Sequence, residues 1–279
     1  MSEPPFRTVA IIGLGLIGGS LARDLAQRGI TVLGYDRDKA IAQRAERDGV
    51  LTALSQPAAS GSADVVIIAV PIDEALSLLP TIARSLEEVR LVTDVCSTKA
   101  SIGRAATHLG LAPVFVGSHP MAGDHRSGWE ASRTGLFANA RTYICPTGAS
   151  TEPSIALAER LWQLVGAAPE RIDAETHDRE VAWTSHLPHV ASAALAGALT
   201  DAGFGRHRLG PGGRDATRLA ASDPQLWTSI ALDNAASLLP AIEAVERTLG
   251  GMRDAITRRD RGSLQRQFAS ANEWSRKSH

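Results

Sequence analysis

The run Val9-Ala10-Ile11-Ile12 leads without a break into Gly13-Leu14-Gly15-Leu16-Ile17-Gly18. Apolar, mostly β-branched residues in an unbroken run suit a strand buried on both faces. The glycine spacing then demands a tight turn into a helix. Gly13 permits the turn, Gly15 lets the backbone come close to a ligand, and Gly18 lets the new helix pack against the strand. Leu16 and Ile17 fall in the first helical turn, where free N–H groups and the helix dipole favour an anion. Strand, turn and helix in this order make a cradle for the diphosphate of a dinucleotide. The glycine pattern alone is weak evidence; its setting gives it weight.

The same rhythm continues along the first half. Strands are expected at 8–12, 31–35, 64–70, 90–94, 114–117 and 141–145, with a short one at 171–172. Helices are expected at 17–27, 39–48, 72–86, 99–108 and 151–166. Such alternation implies an α/β fold with a doubly wound parallel sheet of Rossmann type. After Asp173 no strand pattern recurs. The segment 174–200 reads as one long helix that Pro188 should kink or loosen. Glycine-rich 202–215 reads in large part as loop, and 224–258 and 263–276 as two further helices. Leu226, Ile230, Leu238 and Leu239 would form an apolar stripe on the first of these. Residues 1–173 are therefore read as a dinucleotide-binding domain and 174–279 as an all-helical second domain. Helices this long and apolar point to packing against a second copy, hence a homodimer.

Composition removes several other classes of function. A net charge of −1 and an aromatic content of 4% give neither a basic face nor stacking platforms for nucleic acid. No apolar run reaches the roughly 18–20 residues of a membrane span, and the first residues lack a signal-peptide pattern. Cys96 and Cys145 are too few and too far apart for a disulfide framework or a C-x-x-C metal site. These features suit a reducing cytoplasm. The last expected helix ends near His279, so no regulatory domain is expected after it.

In an open α/β sheet, ligands lie beyond the carboxyl ends of the strands. The second strand ends at Asp36, whose carboxylate suits the ribose hydroxyls of NAD and opposes the 2′-phosphate of NADP. Arg37 follows and is suited to that phosphate, so NAD is favoured and NADP stays open. Val70 and Pro71 end the third expected strand at the same edge. Ser97 follows the fourth, either as a helix N-cap or as a hydroxyl near the nicotinamide. His119 follows the fifth, held extended by Pro120. An imidazole there is the natural base for a hydroxyl proton while hydride leaves. In the second half, His186 and His189 share a helix face; without a third ligand, no metal is expected.

Taken together, several segments resemble one family. They are Gly13-x-Gly15-x-x-Gly18, Asp94-x-x-Ser97-x-Lys99, His119-Pro120-Met121-Ala122-Gly123, Ser185-His186-Leu187-Pro188-His189, and Asp215-Ala216-Thr217-Arg218 with Ser222-Asp223-Pro224-x-x-Trp227. The chain resembles the prephenate/arogenate dehydrogenases of tyrosine biosynthesis, in order and over nearly its whole length. That resemblance implies an NAD(P)-dependent oxidative decarboxylation of a cyclohexadienol. It makes His119 the group bonded to the substrate hydroxyl, with Ser97 orienting His119 or the hydroxyl. It puts His189, Arg218 and Ser185 at the substrate, with Arg218 binding a carboxylate. Trp227 is read as pocket wall or core, and an Arg218–Asp215 ion pair is the simpler reading of that arginine. Asp124 directly follows the H-P-M-A-G segment. Its charge would attract the ammonium of arogenate, which favours that substrate, although His125 next to it would weaken the effect. Two other readings are weighed: a two-domain β-hydroxyacid or imine-type dehydrogenase, and a non-catalytic NAD(P) sensor.

Overall fold

The strand that feeds the glycine turn is the middle of a five-stranded parallel sheet. A computed structural model of the chain describes residues 5–86, 88–123 and 126–277. β1 (Thr8–Ile12) lies between β2 (Thr31–Tyr35) and β4 (Val65–Ile68). β3 (Thr52–Ala53) and β5 (Leu91–Asp94) complete the order β3-β2-β1-β4-β5. Val9 and Ile11 enter one core; Ala10 and Ile12 enter the other. All four are buried, which is why β1 reads as an unbroken apolar run. Three helices supply the first core: α1 (Leu16–Ala26), α2 (Lys39–Arg47) and α5 (Glu152–Leu164). On the opposite face lie α3 (Ile72–Ile82) and α4 (Ala100–His108). The expected helix at 72–86 tightens into a 3₁₀ turn over Ala83–Leu86.

The sheet does not stay parallel. A second sheet holds β6 (Val116–Pro120), β7 (Arg141–Pro146) and β8 (Ala168–Arg171). β6 runs antiparallel to β7, and β7 parallel to β8. The β6–β7 connection is not a crossover helix. Its described part holds one 3₁₀ turn, Trp129–Ala131, and lies over α1, with Arg133 N–H donating to Ser20 Oγ and Gly135 N–H to Asp24 Oδ1. Without a crossover, the chain returns antiparallel. β6 is joined to β5 by Val92 N–H donating to Val114 O and by a parallel Val92–Phe115 bridge. The fifth strand therefore starts two residues later than expected and runs through His119. The short strand expected at 171–172 lies instead at Ala168–Arg171.

The helical part departs more from expectation. The single helix expected at 174–200 is α6 (Ala174–Val181), a π-helical turn Ala182–His186, and α7 (Leu187–Asp201). Pro188 sits in the first turn of α7, where a missing N–H costs least, and the wide π turn before it absorbs the break. Part of the expected loop is helical: α8 (Pro211–Ala216) starts on a proline. The expected helix at 224–258 is divided at Asn234 into α9 (Pro224–Asp233) and α10 (Ala235–Thr257). That break splits the expected stripe: Ile230 and Leu238 are buried, while Leu226 and Leu239 are exposed. α11 (Arg261–Lys277) ends the described chain. Leu232, Leu249, Ile256 and Phe268 also stand exposed on α9–α11. Among the described residues, no helix is long and apolar enough to cross a membrane.

Candidate active site

The glycine turn has the geometry its spacing implies. Gly13 adopts φ +95°, and its N–H donates to Tyr35 O at 2.8 Å. A Cβ on Gly13 would overlap Ala69 O, and one on Gly18 would overlap Gly13 O. Gly15 differs: nothing lies within 4 Å of the place its Cβ would take. Gly15 is the N-cap of α1 and supplies no side-chain bond, so the first-turn amides around Leu16 and Ile17 face an open cradle. Val70 follows β4 beside Gly13, and Pro71 caps α3. These residues fit a dinucleotide diphosphate.

Asp36 lies at the end of β2. Its Oδ2 accepts Leu14 N–H at 2.9 Å, and its Oδ1 accepts Asp38 N–H at 2.9 Å. The carboxylate is thus fixed against the glycine turn, and Asp38 is the residue that caps α2. Arg37 is tied to Glu74 of α3, Nη1 to Oε1 at 2.6 Å. Glu74 was not anticipated from the sequence.

Ser97 follows β5 in a half-buried position but does not cap α4, whose N-cap is Lys99. The two amides at the start of α4 are satisfied from the helical part instead. Lys99 N–H donates to Asp178 Oδ1 at 2.8 Å, and Ala100 N–H to Asp178 Oδ2 at 2.9 Å. Among the described residues no hydrogen bond joins Ser97 to His119, whose partner is another ring. The His119 Nδ1 lies 2.9 Å from His177 Nε2, and His177 Nδ1 lies 2.8 Å from Asp178 Oδ1. Sequence reasoning missed both partners. Only their place just after Asp173, where the strand pattern ends, marked them.

His119 is 8% exposed, in β6 opposite Tyr143 of β7. Burial, then the fields of His177, Lys99 and His186, holds its pKa well below 6.5, so it is neutral at pH 7. Beneath it, β5 and β6 are clamped. Buried Lys99 Nζ pairs with Asp94 and donates to Ser118 O at 2.9 Å; Thr93 Oγ1 and Ser118 Oγ lie 2.8 Å apart. Burial disfavours the ammonium, but the Asp94 carboxylate, together with Cys96 and Cys145, raises the Lys99 pKa.

A second cluster lies on the helical side. Asn234 Nδ2 donates to Asp178 O at 2.8 Å and lies 3.1 Å from His186 Nδ1. Asn234, where α9 ends and α10 begins, is thereby tied to the element that carries Asp178. His186 is buried, and burial lowers its pKa to about 4. Its Nε2 has no partner among the described residues. Trp227 is half-buried rather than core, and its ring meets both histidines: stacked on His189 at 3.5 Å and edge-on to His186 at 5.9 Å. His189 Nδ1 lies 3.3 Å from Ser222 Oγ, and burial followed by the field of Arg218 lowers its pKa. Arg218 is exposed and makes no ion pair with Asp215 among the described residues. Ser185 is half-buried in the π turn. Asp124 and His125 lie outside the described residues. The hydrogen bonds thus join His119, His177, Asp178, Asn234 and His186 into one wall that crosses from β6 to the helices.

The chain matches two family models in tandem. The nucleotide-binding domain of prephenate dehydrogenase covers residues 21–170, and the prephenate dehydrogenase dimerization domain covers 173–270. It is similar to the prephenate dehydrogenase of Lactococcus lactis, with 35% identity over 94% of this chain and 75% of that protein. It is also similar to the cyclohexadienyl dehydrogenase of Zymomonas mobilis, with 32% identity over 94% and 93%. Among solved structures it is similar to prephenate dehydrogenase from Aquifex aeolicus in complex with hydroxyphenyl propionate and NAD+: TM-score 0.88, 28% identity, all of both chains covered. These likenesses set aside the β-hydroxyacid, imine-type and sensor readings. The chain is an oxidoreductase of the prephenate dehydrogenase family.

Proposed function

We propose that this enzyme oxidatively decarboxylates arogenate or prephenate with NAD, and that His119 is its base. The observation that carries the reading is a buried neutral imidazole at the carboxyl end of β6, on the sheet edge that holds the glycine turn. Three strand spacings, roughly 14 Å, separate it from β1. That is a suitable reach for a dinucleotide whose diphosphate lies on α1. The bound nicotinamide supplies the acceptor for hydride. His119 takes the C4 hydroxyl proton as C4–H leaves as hydride. The bond from C1 to its carboxylate breaks, CO2 departs, and its electron pair completes an aromatic ring. The proton returns to the phenol oxygen, so there is no net proton release at this step. Aromatisation drives the reaction, and the protein's part is to orient the ring and polarise the hydroxyl.

On this reading, Arg218 offers a planar guanidinium to a substrate carboxylate, while His189, Trp227 and Ser185 line the ring site from the helical side. Ser97 is kept as a hydroxyl near the nicotinamide that orients the substrate hydroxyl, while His177 holds the other side of His119. Asp36 favours NAD because its fixed carboxylate opposes a 2′-phosphate, and Glu74 occupies the arginine that would bind one. Asp124 favours arogenate, through attraction of its ammonium. The domains are taken as 1–173 and 174–279. Two copies pair through the exposed apolar residues of α9–α11, in a cytoplasm where Cys96 and Cys145 stay reduced. The test is kcat/KM for both substrates with both cofactors, in wild type and Asp124→Asn. Turnover of neither substrate overturns the reading; an unchanged substrate ratio in the variant removes Asp124 from selection.

A further inference from the structure

The bonds between His119, His177 and Asp178 have a direction, and it can be worked out. Asp178 is held as an anion. Burial opposes its charge, but the bonds from His177, Ala100 and Lys99 prevail and lower its pKa. An ionised carboxylate only accepts. Each of its oxygens already accepts a backbone N–H at the start of α4. The proton between Asp178 and His177 must therefore sit on His177 Nδ1. With its one ring proton on Nδ1, His177 presents a lone pair at Nε2, 2.9 Å from His119 Nδ1. That bond exists only if His119 carries its proton on Nδ1. The other nitrogen of His119, Nε2, is left with a free lone pair, the form a base requires.

Neither ring is free to turn over and undo this order. His177 is fully buried, with Tyr143 and His119 each edge-on at 5.1 Å between centroids. Asp178 is also fixed twice over: its carbonyl accepts Asn234 Nδ2, and its carboxylate closes the start of α4. One side chain of the helical part thus both docks against the dinucleotide-binding part and sets the chain of protons.

We propose that His177 and Asp178 are positioning residues that fix His119 in its Nδ1–H form, so that docking of the helical part on the start of α4 arms the base. The proposal rests on the reading of His119 as that base, yet its first test needs no substrate. Imidazole nitrogen NMR on histidine-labelled wild type should show His119 protonated at Nδ1 and bare at Nε2. A proton on Nε2 overturns the proposal outright.

The second test is Asp178→Asn. Asparagine withdraws the anion that pins the proton on His177 Nδ1; a His177 proton that moves to Nε2 then leaves His119 protonated at Nε2 in place of Nδ1. The expected loss in kcat is about 100- to 10,000-fold, as for a misassigned tautomer in other histidine bases. NAD affinity should be unchanged and KM altered by less than about threefold, for a tautomer change spares both binding surfaces. A purely structural role for Asp178 would instead weaken NAD binding and leave the His119 tautomer as in wild type; that result overturns the proposal. His177→Gln keeps an acceptor toward His119 and a donor toward Asp178, so it should retain more turnover than His177→Leu. Equal loss in the two variants contradicts the proposal. Should wild type have the Nδ1–H form and turn over neither substrate, the catalytic reading fails while the proton order stands.

Discussion

The glycines of the opening turn separate folding from cofactor binding, and Gly15→Ala is the perturbation that does so most cleanly. Gly15 has φ −71° and ψ −158°, a conformation open to alanine, and nothing lies within 4 Å of its Cβ position. Two small terms then oppose each other. Alanine is a poorer N-cap than glycine, and it lowers the entropy of the unfolded chain; each effect is about 0.5–1 kcal/mol. Stability should stay within about 1 kcal/mol of wild type, about 2–4 °C in Tm. The cofactor sees a different surface. A methyl in the cradle pushes the diphosphate off the amides of α1. Loss of one charge-assisted hydrogen bond costs about 1.5–3 kcal/mol, which is about 10- to 100-fold in Kd. Gly18→Ala is the contrast, because its Cβ overlaps Gly13 O and the strain of about 1–3 kcal/mol falls on the fold itself. Thermal melts without cofactor and NADH fluorescence titration read the two effects separately. The reasoning is refuted if Gly15→Ala keeps wild-type NADH affinity, or if it melts as early as Gly18→Ala.

Other consequences can be checked as directly. Glu74→Gln should release Arg37 and raise the NADP-to-NAD ratio of kcat/KM by up to about fivefold, the scale of an exposed ion pair; a ratio that falls or stays fixed removes Glu74 from cofactor choice. Active His119 is neutral, and its pKa lies well below 6.5 under the combined effect of burial, His177, Lys99 and His186, with Tyr143 also facing it. The kcat/KM profile should therefore stay level through pH 6.5 and fall only at more acid pH; a midpoint at or above 6.5 contradicts the burial argument. His186 makes a parallel statement about stability. Its folded pKa of about 4 lies below the unfolded 6.5, so its contribution is full above pH 6.5 and lost as pH falls toward 4. By pH 5 the loss is about 2 kcal/mol. Urea midpoints at pH 7 and pH 5 should differ less in His186→Gln than in wild type; an equal difference means the titration lies elsewhere.

The parts legible in the sequence were those written in local pattern. Val9–Ile12 alternates between two cores, and the glycine spacing admits only one turn, so the sheet's centre and the cradle could be read directly. His119 could be placed at the carboxyl edge because a strand run precedes it. Its partners could not. His177 and Asp178 lie in an ordinary polar helical stretch, and only tertiary docking brings them to β6 and α4. Ser97 shows the same limit from the other side. A serine before a helix looks like an N-cap, but Asp178 supplies that function from 78–79 residues away in sequence. The division of α9 from α10 falls at Asn234, a weak local signal, and its bonds to Asp178 and His186 could not be read from the sequence. Antiparallel β7 followed from a connection without a helix, whose hydrogen bonds to Ser20 and Asp24 leave no periodic trace.

The central claim is that His119 removes the hydroxyl proton while hydride leaves the ring. The most direct measurement is NADH formation from arogenate and from prephenate by wild type and by His119→Asn, with NADH binding measured on both proteins. The expected result is turnover of at least one substrate by wild type, a loss of about 100- to 10,000-fold in kcat for the variant, and the same NADH affinity in both. Robust turnover by His119→Asn, or none by wild type with either substrate, would contradict it.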